Sequence, residues 1–316
     1  MKPFVYDIGL KVAFRGLIRR SGILFEGPAG WAEWSPFQEY DDTESATWLR
    51  AALETAEVGF PAPLRDRIEI NAIVPALEPQ AAAERALAAG CGTVKIKVAA
   101  LGQSLAEDVA RVAAVRAALP MARLRVDANG AWTLHEARSA LAALGDFDLE
   151  YAEQPCATVE ELAKLRACGL GVAIAADESI RRAADPHRVK ELAAADVVVL
   201  KVQPLGGVTN CLRLATELDL PVVVSSAVET SIGLAAGLAL AAALPGLDRA
   251  CGLETGRLLT GDVVEQPLLP EGGWLSTTEG LSAAPELLAR HRADPDLSAW
   301  WLARWERVHA LLEARG

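Results

Sequence analysis

The chain has 316 residues, 52% of them hydrophobic, enough for one large domain with a sizeable core and a smaller one beside it. Its 31 lysines and arginines against 42 aspartates and glutamates leave a net charge of −11, which excludes a general basic surface for nucleic acid or an anionic membrane. Any anionic ligand has to be met by local cations. Five scattered cysteines (Cys91, Cys156, Cys168, Cys211, Cys251) lack C-x-x-C spacing and read as reduced thiols of a cytoplasmic protein. The four histidines show no spacing for a zinc site.

In chain order, Asp7 and Lys11 interrupt the N-terminal apolar stretch, so it is no secretory signal. The segments "FVYDIGLKVAF", "SGILFEG" and "GWAEWSP" predict antiparallel strands, and "TESATWLRAALETA" a helix, before the proline-bearing linker "GFPAPLRDR". Residues 1–66 are thus expected to form a small α+β domain. Over residues 67–272, short β-rich runs alternate with helical segments, with strands expected at 68–74, 93–98, 123–127, 148–153, 172–177, 197–201, 221–226 and 249–255.

Thr133 with Glu136 and Thr158 with Glu161 read as capping boxes, and Asp185 before Pro186 as an N-cap. The longest apolar run, 232–244, stops at Pro245; it is too short to span a bilayer and reads as a helix packed on a sheet. No G-x-G-x-x-G follows the first strand, which weighs against a dinucleotide site. Repeated β-α units predict an α/β fold, a TIM-like barrel of the (β/α)7β kind. The tail, 273–316, places Trp301, Trp305, Val308 and Leu312 on one helical face and is expected to pack on the N-terminal domain and the barrel.

In "TVKIKV" (93–98), alternation sends Lys95 and Lys97 to one face and Val94, Ile96 and Val98 to the other. Alone, such a pair reads as the wet side of a surface strand. In a barrel, however, the C-terminal strand ends share one mouth, and there stand Lys97, Asp127, Glu153, Asp177, Lys201 and Ser225. Each carboxylate alone has an alternative as a helix cap or a loop charge. Together, Asp127, Glu153 and Asp177 on successive strands cannot all stay ionised without a compensating cation. Three carboxylates with no histidine or cysteine suit Mg²⁺, with Mn²⁺ able to substitute.

Lys97 and Lys201 come from the second and sixth strands, on opposite sides of a closed barrel. A bound small-molecule carboxylate then has one lysine over each face, an arrangement suited to removal of an α-proton. To act as a base near neutral pH, a lysine must fall from about 10.4 towards roughly 7 to 8, a change of about 4 kcal/mol. A neighbouring Lys95 and a metal both push that way. A Schiff-base aldolase using Lys201 is the alternative from another reaction class, and a non-catalytic binding barrel a third.

The motifs "KIK" (95–97), "DANGAW" (127–132), "EQP" (153–155), "ADES" (176–179) and "KVQPLGG" (201–207) resemble the enolase superfamily, within it the muconate-lactonizing subgroup. Stretches 14–37 and 225–233 are similar to the o-succinylbenzoate synthase family. The resemblance implies a capping domain built from the N-terminal segment and the C-terminal tail. It also implies dehydration of 2-succinyl-6-hydroxy-2,4-cyclohexadiene-1-carboxylate to o-succinylbenzoate in menaquinone biosynthesis. Lys97 then takes the α-proton and protonates the departing hydroxyl, while Lys201 holds the enediolate by a cation–π contact.

Around them, Lys95, Asn129 and Glu178 are expected to orient ligands and lysines, with a turn asparagine and a helix cap as the other readings. Ser225, Ser226 and Thr255 are candidates for the succinyl carboxylate. Arg20 lies in the capping segment, either closing over the anionic substrate or solvated at the surface. An N-succinylamino acid racemase shares every residue named at the metal and is the rival activity; a cycloisomerase or a dipeptide epimerase is a further one.

Overall fold

The computed structural model describes residues 2–14, 16–182, 185–278 and 280–314. An antiparallel sheet of β1 (Phe4–Phe14), β2 (Leu17–Gly27) and β3 (Gly30–Trp34) opens the chain. Helix α1 (Asp42–Glu57) follows, started by Asp41, whose carboxylate accepts the Glu44 N–H at 2.7 Å. Gly27 is required where β2 meets the end of α1, because a Cβ there comes within 2.5 Å of the Ala56 carbonyl oxygen.

After β4 (Arg67–Glu69) the barrel begins with β5 (Ala72–Val74), then runs α2 (Pro79–Ala89), β6 (Thr93–Lys97), α3 (Leu105–Ala118), β7 (Arg123–Asp127), α4 (Leu134–Leu144), β8 (Leu149–Glu153) and α5 (Val159–Ala167). It continues through β9 (Ile174–Ala176), the short helices α6 (Glu178–Arg181) and α7 (Arg188–Glu191), β10 (Val197–Leu200), α8 (Val208–Leu218), β11 (Val222–Val224) and α9 (Ser231–Ala243). Strands β5 to β11 form one parallel sheet in sequence order, as repeated β-α units require.

Two expected strands are corrected. The first, 68–74, divides at Ile70: its N–H turns outward to the Gly273 carbonyl (2.8 Å), while the Asn71 N–H turns to the Cys251 carbonyl (2.9 Å). β4 therefore pairs with β12 (Trp274–Ser276) instead of continuing into the barrel. The eighth, 249–255, contracts to bridges at Cys251 and Gly252, which close the ring by bonds from Cys251 N to Glu69 O (2.7 Å) and from Gly252 N to Val224 O (2.8 Å). Where the next rung would fall, the Glu254 carboxylate accepts the Ile73 N–H at 2.6 Å, so a side chain replaces a strand carbonyl.

Alternation along the strands separates two layers. Val94, Ile96, Leu124, Val126 and Ala152 face the helices, whereas Tyr151, Ala175, Val197, Val199 and Val223 fill the barrel interior. At its floor, Arg125 stacks on Tyr151 at 4.7 Å and donates to Glu150 (2.6 Å), Asn71 (2.9 Å) and the Ala250 carbonyl (2.8 Å). Thr133 and Thr158 cap α4 and α5 as reciprocal boxes, and Ser104 does the same for α3, a box that the sequence reading passed over. The N-cap expected at Asp185 is corrected: its carboxylate accepts the His187 N–H (2.9 Å) in a turn, and α7, of only 4 residues, starts later, at Arg188, with His187 as its N-cap.

The chain ends with α10 (Pro285–Arg290) and α11 (Pro295–Glu313). From α11, Trp301 and Val308 are buried in the core of the N-terminal sheet and α1, and Trp305 and Leu312 pack at its margin. Trp34 meets both Trp301 and Trp305 edge-on at 5.5 Å. Among the described residues no helix is long and apolar enough to cross a membrane. Because Trp301 is fully buried, Trp301→Ala is expected to lower stability by about 3–5 kcal/mol, read as a fall in the urea midpoint.

Candidate active site

Parallel register sets the site. Lys97, Asp127, Glu153 and Ala175 are Cα partners in one row across β6, β7, β8 and β9, and Asp177 lies two residues beyond Ala175 on the same face. Lys201 follows directly after β10. Adjacent strands lie about 4.8 Å apart, so these side chains share one mouth and must neutralise one another.

They do so in pairs. Lys97 Nζ donates to Asp127 Oδ2 at 3.2 Å, and Lys201 Nζ to Asp177 Oδ2 at 2.6 Å. Lys95 Nζ reaches both oxygens of Glu153 at 2.8 Å and stands 3.6 Å from Asp127 Oδ2. Asn129, in a turn at φ 47°, donates its backbone N–H to Asp127 Oδ1 (3.0 Å) and its amide to Glu178 Oε1 (3.2 Å), so it is turn residue and orienter at once. Lys95, Lys97, Asp127, Glu153, Asp177 and Lys201 are all buried.

Two further residues belong to the cluster although sequence reasoning passed over them. Arg181 donates to Asp177 Oδ1 (3.1 Å), Glu178 Oε1 (2.6 Å) and the Tyr40 hydroxyl of the capping domain (2.9 Å). Its signal is its place one helical turn after Asp177. Gln154, at φ 39°, accepts the N–H groups of Asp177 (3.0 Å) and Ser179 (3.1 Å) through one oxygen, binding the end of β8 to the next ligand segment. It stands in "EQP" beside Glu153, where only the neighbouring acid carries an obvious charge.

Of the remaining candidates, Ser225, Ser226 and Thr255 meet on the far rim. Both serines donate to the Gly252 carbonyl (3.4 and 2.8 Å), and Ser226 Oγ lies 2.8 Å from Thr255 Oγ1. Arg20 is not a solvated arginine: it is 3% exposed, and its guanidinium is spent on backbone and Ser35 oxygens. A cavity of about 620 Å³ opens over Lys97, walled by Phe14, Pro75, Leu101 and Ala131, a size suited to a small-molecule substrate. The Lys97 ammonium sits 5.8 Å from the centre of the Phe14 ring.

As placed, no three of His, Cys, Asp and Glu among the described residues stand close enough to hold an ion, because ammonium groups lie between the carboxylates. The donor set nonetheless fits a hard divalent cation: Asp127, Glu153 and Asp177 offer only carboxylate oxygen, from neighbouring strand ends. A cation held there would replace the ammonium contacts that these carboxylates make.

Residues 5–56 match the family model described as enolase N-terminal domain-like, and residues 78–286 the one described as enolase C-terminal domain-like. Over 311 residues the chain is 55% identical to the o-succinylbenzoate synthase of Thermobifida fusca, a match covering 96% of each. The o-succinylbenzoate synthase of Mycolicibacterium smegmatis is 51% identical over 310 residues, 98% of this chain and 95% of the relative. Among solved structures, the muconate lactonizing enzyme from Pseudomonas fluorescens, complexed with muconolactone, aligns at a TM-score of 0.79 and 22% identity, over 92% of this chain and 98% of the other. That likeness speaks to the fold alone.

Charge balance decides the protonation states. Burial works against ionised Asp127, but Lys97 and Lys95 outweigh it and hold the carboxyl at about 2. Burial likewise opposes Asp177, and Lys201 with Arg181 holds it below the usual range. Lys95 is held charged, its burial outweighed by Glu153 and Asp127. For Glu153 burial wins: with Asp127 and Asp177 beside it, its carboxyl is pushed up to about 7 despite Lys95. A raised folded-state value means a contribution fully present below the unfolded value of about 4.3 and lost as pH rises through about 7. In chelator, the urea stability of the protein is expected to fall across that window, and Glu153→Gln to flatten the fall.

Proposed function

Because the chain belongs to the enolase superfamily and to its o-succinylbenzoate synthase family, we propose that it dehydrates 2-succinyl-6-hydroxy-2,4-cyclohexadiene-1-carboxylate to 2-succinylbenzoate, a step of menaquinone biosynthesis. It is a carbon–oxygen lyase. The observation that carries the mechanism is the pair of buried lysines, Lys97 and Lys201, each bonded to a different aspartate at the rim of one barrel.

Lys97 Nζ removes the α-proton, and the C–H electrons pass into the carboxylate as an enediolate. The same ammonium then gives its proton to the hydroxyl leaving from that face. The C–O bond breaks, a ring double bond forms, and water departs as the ring becomes aromatic. Because one group takes and returns the proton, both events occur on one face. Lys201 stays protonated on the other face and holds the delocalised anion by charge and cation–π attraction. Lys95, bound to Glu153, keeps that carboxylate oriented.

A divalent cation held by Asp127, Glu153 and Asp177, Mg²⁺ with Mn²⁺ able to substitute, would supply positive charge beside the substrate carboxylate and compete for the carboxylates that pair with the lysines. Low dielectric around these buried groups strengthens each effect. The five free cysteines support a reducing, cytoplasmic setting.

With Mg²⁺ present, fast dehydration of the cyclohexadiene carboxylate and negligible racemization of N-succinylamino acids is the expected result; the reverse ratio refutes the assignment. Chelator is expected to abolish turnover, and added Mg²⁺ to restore it. Lys97→Ala is expected to eliminate both dehydration and α-proton exchange with solvent, a loss of at least about 10²–10⁴-fold, measured by NMR in deuterium oxide. Retained exchange places the base elsewhere.

A further inference from the structure

The loop that follows β11 carries Ser225 and Ser226 to the rim and then enters α9 at Thr230. Its middle packs against barrel residues Ile232, Leu259 and Val263 on one side and is held from the capping domain at successive residues on the other. Ala227 packs in the core that contains Ile23, Phe25 and Trp34, and Val228 in the one that contains Tyr6, Ile8 and Leu24. Val228 adopts φ 64°, a left-handed conformation that a β-branched residue avoids unless its surroundings impose it.

Arg20 supplies one such constraint. Its Nε donates to the Val228 carbonyl at 3.2 Å. Its other nitrogens tie it to Ser35 Oγ (3.0 Å), to the Ser35 carbonyl and to the Ser21 carbonyl (3.3 Å), and it lies 4.7 Å from the centre of the Phe37 ring. A second constraint is Glu33, whose Oε2 accepts from Thr230 N (3.0 Å), Thr230 Oγ1 (2.5 Å) and Gly233 N (3.2 Å). A carboxylate from the capping domain thus covers the positive end of α9. Between these points, Glu229 Oε2 accepts the Ala227 N–H at 2.6 Å.

We propose that Arg20 is a positioning residue: by holding the Val228 carbonyl it keeps the loop after β11 in its strained form, and through that loop it places Ser226 against Thr255 and the Gly252 carbonyl. The capping domain thereby shapes the rim without Arg20 touching the substrate. The link to substrate rests on the reading above that Ser226 and Thr255 meet the succinyl end; the hold on the loop does not.

The test uses the full chain with Mg²⁺ and compares Arg20→Met, Ser226→Ala and the double variant. Without substrate, Arg20→Met is expected to speed hydrogen exchange at amides 227–231 at least about tenfold and to leave exchange in β6 to β8 unchanged. With the cyclohexadiene carboxylate, its KM is expected to rise about tenfold with kcat within about threefold, and the double variant to be no worse than Arg20→Met alone, since both changes spoil one arrangement. Unchanged exchange at 227–231 overturns the proposal, as do KM effects that multiply. If wild-type protein fails to dehydrate this compound, the proposed activity falls while the exchange result still decides the role of Arg20. Should Arg20→Met fail to fold, Arg20→Lys, which keeps the charge with one donor nitrogen, carries the same comparison.

Discussion

Burial of like charges at neighbouring strand ends is the constraint on which the rest of the molecule depends. Parallel register puts Asp127 beside Glu153, with Asp177 one strand further, in a mouth from which water is largely excluded. An isolated buried carboxylate costs several kcal/mol, so three together require partners of opposite sign. Lys95, Lys97, Lys201 and Arg181 answer Asp127, Glu153, Asp177 and Glu178, and each bond made for balance also fixes a side chain of the proposed reaction. Compensation is uneven, and Glu153 is where it falls short. The most proton-loving carboxyl of the three is the one whose charge an added cation would favour most.

The scaffold serves that balance from two sides. Inside the barrel, small residues of β9 to β11 line the interior, while Arg125 and Tyr151 form a floor beneath the lysines. From outside, the capping domain reaches the same cluster through Tyr40, whose hydroxyl accepts from Arg181, and reaches the opposite rim through Arg20 and Glu33. The tryptophans of α11 bind the cap together, so the position of its polar contacts depends on an apolar core assembled from both ends of the chain.

Much of this was legible in the linear sequence because the chemistry is local to strand ends. Lys97, Asp127, Glu153, Asp177 and Lys201 recur at the ends of successive apolar strands, and period-two alternation says which face each occupies. Gln154 and Arg181 were harder to see, since their importance lies in hydrogen bonds to neighbours on adjoining strands and in the cap. Arg20 was misread in one of its two alternatives for a related reason: a charged residue beside a hairpin looks solvated until the loop after β11 closes over it.

The sequence by itself determined the class of fold and the six polar strand ends, and a hard cation is proposed from their donor chemistry, because periodicity and donor type are properties of residues in order. Only the tertiary structure decided how the ring closes and who holds whom. The first strand breaks at Ile70, whose N–H meets Gly273, and the eighth shrinks to Cys251 and Gly252, past which the Glu254 carboxylate takes the Ile73 N–H; in both cases the partners lie far apart in the chain. A backbone group takes whichever acceptor the folded molecule brings within about 3 Å, and that is set by packing between segments, not by the residue's own neighbours.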